Sequence, residues 1–110
     1  MATPEEFFAI EMRVGTVLKA EPFPEARKPS IKLEIDFGSS IGVKRSSAQL
    51  TKRYTPDALV GRQVVAAVNL GERRIAGFKS EVLVLGAMPD ETDVVLLQVN
   101  FPVENGTRIG

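Results

Sequence analysis

Residues 31–37, Ile31-Lys32-Leu33-Glu34-Ile35-Asp36-Phe37, decide the fold. Apolar side chains take every second position and charged ones the positions between, the period of a strand with one face in a core and the other in water. Gly38-Ser39-Ser40 has the composition and length of a hairpin turn, and Ile41 to Gln49 reads as the returning strand. That strand places Ile41, Val43, Arg45, Ser47 and Gln49 on one side and Lys44, Ser46 and Ala48 on the other. Its second half is polar on both faces. Such a strand is running out of the core, either toward a binding surface or simply out of the sheet.

Upstream, Met12, Val14, Thr16, Leu18 and Ala20 alternate with Arg13, Gly15, Val17 and Lys19, a second segment of period two. The connection Glu21-Pro22-Phe23-Pro24-Glu25-Ala26-Arg27-Lys28-Pro29 holds three prolines and no period, so it reads as a stiff loop. Phe23, fixed between two prolines, is either a lid over the core or an exposed contact for a ligand. Thr3-Pro4-Glu5-Glu6 starts a short helix: Thr3 caps, Pro4 suits the first position and Glu6 reaches back as a capping-box carboxylate. Phe7 and Phe8 are adjacent and cannot share one face of that helix, so one needs a second surface, the core edge or another subunit.

Downstream, Thr55 to Gly61 reads as about one helical turn, with Thr55 as cap, Pro56 at the first position and Gly61 as stop. The run Val64-Val65-Ala66-Ala67-Val68 within Gln63 to Asn69 fits a strand buried on both sides, and Val82 to Leu85 and Val94 to Val99 supply two more. The sum is an all-β chain of about five to six strands, with short helices at the N-terminus and between the third and fourth strands. This predicts an OB-fold, a small Greek-key barrel that closes its own sheet edges. At 110 residues, positions 1–110 make a single domain.

Composition removes most chemistry. With no His and no Cys, the chain has no imidazole or thiolate nucleophile, no zinc site of those ligands and no disulfide. No catalytic residue, metal or cofactor is expected, and the protein is not expected to be an enzyme. No apolar run approaches the roughly 20 residues that cross a bilayer, and the opening MATPEEFF lacks the basic-then-apolar order of a signal peptide. A cytoplasmic protein without membrane insertion is expected.

The formal net charge is zero but unevenly spread. Residues 1–43 carry five basic and seven acidic side chains, residues 44–79 eight and two, and residues 80–110 one and five. The basic middle offers Lys44, Arg45, Lys52, Arg53, Arg73, Arg74 and Lys79, with Phe78 and Phe23, as a surface for phosphates or an acidic polypeptide. Cations beside aromatic rings suit nucleic acid on an OB barrel, and cations beside exposed apolar surface suit an unfolded chain. Gly71 to Ser80 fails as a phosphate loop, because five residues separate its glycines and Phe78 intervenes before Lys79-Ser80. Asp90 and Asp93, two carboxylates without a third, read as solvated loop residues.

The stretches KRSSAQL (44–50), TKRYTPDALVGRQVVAAVNL (51–70) and RRIAGFKSEVLVLG (73–86), together with FPEARKPSIKLEIDFG (23–38), resemble the tRNA-binding-domain family. Within it they are most similar to the branch of bacterial export-related chaperones. The resemblance implies an OB-fold homodimer that holds unfolded or secretory preproteins for the export machinery, without ATP and without catalysis. In tRNA-binding relatives an arginine precedes the glycine matched by Gly77, and a Gly-Met pair comes after the serine matched by Ser80. Here Ala76 replaces the arginine and Glu81-Val82 the pair. One cation fewer and one anion more weaken a phosphate-binding face.

Carried over, the resemblance implies a client surface of Lys44, Ser46, Ser47 and Gln49 with Arg74, Phe78, Lys79 and Ser80. Phe78 would supply apolar contact, the hydroxyls and Gln49 would bond a client backbone, and Arg74 and Lys79 would favour acidic or phosphate-bearing partners. Phe7 or Phe8 at one end, with Val99, Phe101 and Val103 at the other, exceed what a barrel of this size covers, so a two-fold interface is expected there. The alternative function is a structure-selective RNA-binding protein whose partner is tRNA.

Overall fold

In the computed structural model, which describes residues 1–110, Thr3 closes the capping box that its sequence context predicts. The Glu6 amide donates to Thr3 Oγ1 at 3.2 Å and the Thr3 amide to Glu6 Oε1 at 2.9 Å. The helix so begun, α1 (Pro4–Ala9), buries none of its residues. Then come β1 (Met12–Pro22), β2 (Ile31–Asp36), β3 (Val43–Ala48), α2 (Pro56–Leu59) and β4 (Gln63–Ala67). The short strands β5 (Arg73–Ile75), β6 (Phe78–Ser80), β7 (Leu83–Val84), β8 (Gly86–Asp90) and β9 (Asp93–Leu96) complete the chain.

One antiparallel sheet of order β3-β2-β1-β4-β7 curls into a nearly closed barrel, with β5–β6 and β8–β9 as separate hairpins. This is the OB-fold read from the sequence, with α2 between β3 and β4 as expected. The alternating residues of β2 carry the core: Ile31, Leu33 and Ile35, with Phe37 beyond, are fully buried against Val17, Val64, Ala66, Leu50 and Leu59. Burying such side chains stabilises by roughly 1.5–3 kcal/mol each, which is why this segment dictates register.

Three sequence expectations change. The alternation assigned to β1 breaks at a bulge: Val17 pairs with Ile35 and Lys19 with Glu34, leaving Leu18 unopposed. The extra residue exchanges faces, so Val17 is buried and Leu18 exposed. Thr55 occupies the cap position of α2 but its side chain makes no capping bond. The strand count also grows, because Arg73 to Ser80 is a hairpin and the segment after Val82 divides into β7 and β8. The β5–β6 turn is Ala76-Gly77, with φ of 46° and 82°, the positive pair that a two-residue hairpin turn of right-handed twist needs.

Near its start, β1 is flanked by β4 on one side and by the C-terminal segment on the other. The Gly106 amide donates to Val14 O, the Val14 amide to Thr107 O and the Ile109 amide to Met12 O, at 2.7–2.9 Å. Gly15 faces Ile35 and Phe37 so closely that a Cβ there would lie 2.7 Å from each.

Candidate functional site

The two ends of the sheet meet through one backbone hydrogen bond and several from side chains rather than a strand ladder. The Glu81 amide donates to Arg45 O at 2.8 Å, and the Arg45 amide to Glu81 Oε1 at 3.1 Å. The Ser47 amide donates to Ser80 Oγ at 3.0 Å, and the Ser46 hydroxyl to Val82 O at 3.1 Å. This seam carries β6 alongside β3 and sets Phe78 next to Arg45, whose guanidinium carbon lies 5.0 Å from the ring centroid.

The predicted site residues separate accordingly. Ser47, Phe78 and Ser80 come together at the seam. Ser80 is buried and spends its oxygen on Ser47, and Ser46 is wholly buried with its hydroxyl committed to Val82. Lys44 pairs with Ile35 and Ser46 with Leu33, so both lie on the core-facing side of β3, whereas Arg45 and Ser47 face outward. Gln49 is exposed beyond the end of β3. Arg74 lies opposite Lys79 in the β5–β6 hairpin and is exposed, and Lys79 pairs with Glu72 at 3.1 Å.

The outward face of β1, β2 and β3 holds functional candidates that the sequence reading passed over. A cleft of about 240 Å³ is lined by Lys19, Glu21, Lys32, Glu34, Arg45 and Phe78 over Leu33. Phe23 is buried and packs edge-on against Phe78 with centroids 5.4 Å apart, so its role is a lid, not an exposed contact. Lys32 Nζ lies 4.7 Å from the centroid of Phe23 and 5.3 Å from that of Phe78. Cations therefore lie against both rings, and Phe78 stays half-buried. Pairing Lys19 with Glu34 requires the bulge at Leu18, which no periodicity announces. A larger depression of about 490 Å³, between the 36–40 turn and residues 104–107, has no apolar or basic lining.

Two cations of the basic middle segment are engaged elsewhere. Arg53 binds Asp93 through two nitrogens, Nη2 to Oδ2 at 2.8 Å, and Lys52 reaches Asp90 at 3.3 Å. The hydrogen bond from Arg53 holds the Asp93 carboxyl below its ordinary pKa. Asp90 is lowered chiefly by bonds from the Thr92 amide and hydroxyl, then by Lys52. These two carboxylates anchor the β8–β9 turn to residues 52–53, and no cluster of three or more metal-ligating side chains exists.

At the opposite end, Phe7 and Phe8 stack edge to face at 5.2 Å and remain half exposed. Phe101 is 73% exposed, Val103 exposed and Val99 half-buried. Polar bonds set these groups in place: Asn69 accepts from the Glu11 amide and donates to Ala9 O, both at 2.8 Å, Arg108 donates to Phe8 O, and Gln63 Nε2 donates to Val103 O.

A family model described as "Putative tRNA binding domain" matches residues 12–108. The chain belongs to this family. It is similar over its full length to the crystal structure of chaperone CsaA from Bacillus anthracis str. Ames, with 58% identity, a TM-score of 0.95 and 99% of that chain covered. CsaA chaperone protein from Picrophilus torridus matches at 43% identity and a TM-score of 0.92, each chain covered completely. Among curated relatives, a methionine–tRNA ligase of Chlorobium chlorochromatii (strain CaD3) is 33% identical over 105 residues, 96% of this chain and 14% of the ligase. The chain thus spans about a seventh of such relatives, so the match is to a domain, not to the ligase reaction. No helix is long and apolar enough to cross a membrane.

Proposed function

We propose that this protein is a homodimeric, ATP-independent chaperone that holds unfolded or secretory polypeptides in the cytoplasm for the export machinery. The carrying observation is the mixed character of the β1–β2–β3 face: cations Lys19, Lys32 and Arg45 alternate with Glu21 and Glu34 beside Phe78. A polypeptide offers both charge signs and apolar side chains to such a face. A nucleic acid offers one sign only, and there the two carboxylates oppose it. Full-length similarity to two CsaA chaperone structures supports the reading. Ser47, Gln49, Phe78 and the exposed Arg74 remain in the proposed client surface, while Lys44, Ser46, Lys79 and Ser80 act in the scaffold around it. The half-exposed Phe7 and Phe8, with Phe101, Val103 and the edge of Val99, form the proposed two-fold interface. Two client sites on one particle then gain by effective concentration.

A second reading, tRNA binding, is favoured by one feature: Arg73 and Arg74 project from β5 as exposed cations outside every ion pair. The family match and the methionine–tRNA ligases support it. Fluorescence anisotropy of a labelled unfolded preprotein peptide and of bulk tRNA, each at low and physiological salt, separates the two. Peptide binding that survives salt while tRNA binding vanishes is the expected result, because phosphate contacts weaken steeply with salt. Tight tRNA binding at physiological salt with no peptide binding would overturn the chaperone reading.

A further inference from the structure

Strand register turns the outward face into a charge lattice. Lys19, Glu34 and Arg45 lie side by side across β1, β2 and β3, and Glu21, Lys32 and Ser47 form the next row. Signs alternate across the strands, and also along them, from Lys19 to Glu21 and from Lys32 to Glu34. Every corner is charged except one, Ser47.

The two cations flanking that corner form no ion pair, although Glu21 and Glu34 are their cross-strand neighbours. The ion pairs of the protein, Arg13–Glu11, Lys52–Asp90, Arg53–Asp93 and Lys79–Glu72, all lie elsewhere. Lys32 leans on Phe23 and Phe78, and Arg45 on Phe78. A cation over a ring keeps N–H groups for a further acceptor. Ser47 gives its amide hydrogen to Ser80, and its hydroxyl enters no hydrogen bond. Ser47 lies directly opposite Lys32, and Arg45 is its neighbour on the same face, distances that long side chains span. Register thus makes Lys32 and Arg45 the neighbours of a free hydroxyl at the one corner where the lattice lacks a negative charge.

We propose, building on the polypeptide-holding reading, that the Ser47 corner is a subsite for a single carboxylate of an extended client, an Asp or Glu side chain whose apolar neighbour packs on Phe78. The carboxylate completes the alternation by accepting from Lys32, Arg45 and the Ser47 hydroxyl. The lattice also restricts the groups adjoining that carboxylate. Glu34 beside Arg45 and Glu21 beside Lys32 oppose any further negative charge, so a lone carboxylate fits and the repeating phosphates of a nucleic acid strand do not.

The test uses a short, unstructured, fluorescein-labelled peptide with one Glu beside a Leu, its twin with Gln in place of Glu, and bulk tRNA. Wild-type protein should bind the Glu peptide about tenfold or more tightly than the Gln twin, the loss expected on removing a charge-assisted hydrogen bond. Ser47→Glu fills the corner with the chain's own carboxylate and should bring the Glu peptide down to the affinity of its twin. Ser47→Gln, equal in bulk and neutral, loses the hydroxyl but adds no charge and should weaken the preference less than Ser47→Glu does. Thermal unfolding checks that both variants fold, and the wild-type comparison stands without them. Equal affinity of wild type for the two peptides overturns the subsite and leaves the polypeptide reading intact. A preference for Glu retained in full by both variants places the carboxylate elsewhere and also overturns it. Binding of neither peptide, with tRNA bound, overturns both.

Discussion

Replacing Phe101 by Asp should convert the proposed dimer to monomers and weaken the proposed holding of clients. Phe101 is 73% exposed in the single chain. Aromatic side chains bury about 150–250 Å² when covered, so roughly 110–180 Å² of this residue is free to be covered. At about 25 cal/mol per Å² that is ~3–4 kcal/mol per protomer, and two-fold symmetry counts it twice. Association never recovers the whole of such a sum, because ordering and lost rotational freedom offset it. Retaining half still moves the dimer dissociation constant by ~10²- to 10³-fold, and two aspartates facing each other across a symmetry axis add repulsion. The assay is light scattering behind size exclusion at micromolar protein, paired with anisotropy of a long unfolded peptide. Monomer mass with weaker binding of the long peptide, and unchanged binding of a peptide too short to reach both sites, is expected. An unchanged dimer mass would refute the placement of Phe101 in the interface.

Gly15→Ala should lower stability by about 1–3 kcal/mol in urea unfolding, since its Cβ would press on Ile35 and Phe37 inside a filled core; an unchanged midpoint would show that the core gives way. Ala76→Arg places a cation at the hairpin tip and should raise tRNA affinity while steepening the slope of log affinity against log salt by about one; an unchanged slope places the tip off the phosphate path. Asp93, held low mainly by the hydrogen bond from Arg53, and Asp90, held low mainly by Thr92, have folded pKa values below their unfolded ones. Their stabilisation is therefore complete above the unfolded carboxylate pKa of about 4 and is lost as pH falls through the lowered values. Melting temperature should drop below about pH 4, and Asp93→Asn should flatten that drop; an identical acid limb in the variant would refute the link.

The barrel was legible because residues 31–37, β2 and the Phe37 that follows it, alternate without exception, and nothing local competes with that pattern. The capping box at Thr3 was legible for a similar reason, as both partners sit three residues apart. The site was less so. Ser46 and Ser47 look equivalent in a polar stretch, yet pairing with Leu33 buries one and pairing with Lys32 turns the other outward, half-buried. The lattice of Lys19, Glu34 and Arg45 depends on the bulge at Leu18, a backbone event that shifts the outward phase of half of β1. Lys52 and Arg53 looked free because their carboxylates lie some forty residues later. In each case the deciding partner is remote in sequence.

Glu81 shows how closure of the fold and the character of the site are linked. Counted as a charge, it is an anion placed beside a basic segment. In the structure its carboxylate is a hydrogen-bond acceptor for the Arg45 amide, while its own amide returns to Arg45 O. That pair of hydrogen bonds, one through the side chain and one through the backbone, takes the place of a ladder between β3 and the strand after the hairpin. A residue without a side-chain acceptor at position 81 would leave the Arg45 amide unanswered at the sheet edge. The seam holds β6 against β3, and so holds Phe78 over Arg45 and Lys32. The carboxylate that reads as an added anion in the sequence is thus the group that helps to position the ring. Glu81 thus helps to build the cleft, while the anions that make its surface mixed are Glu21 and Glu34.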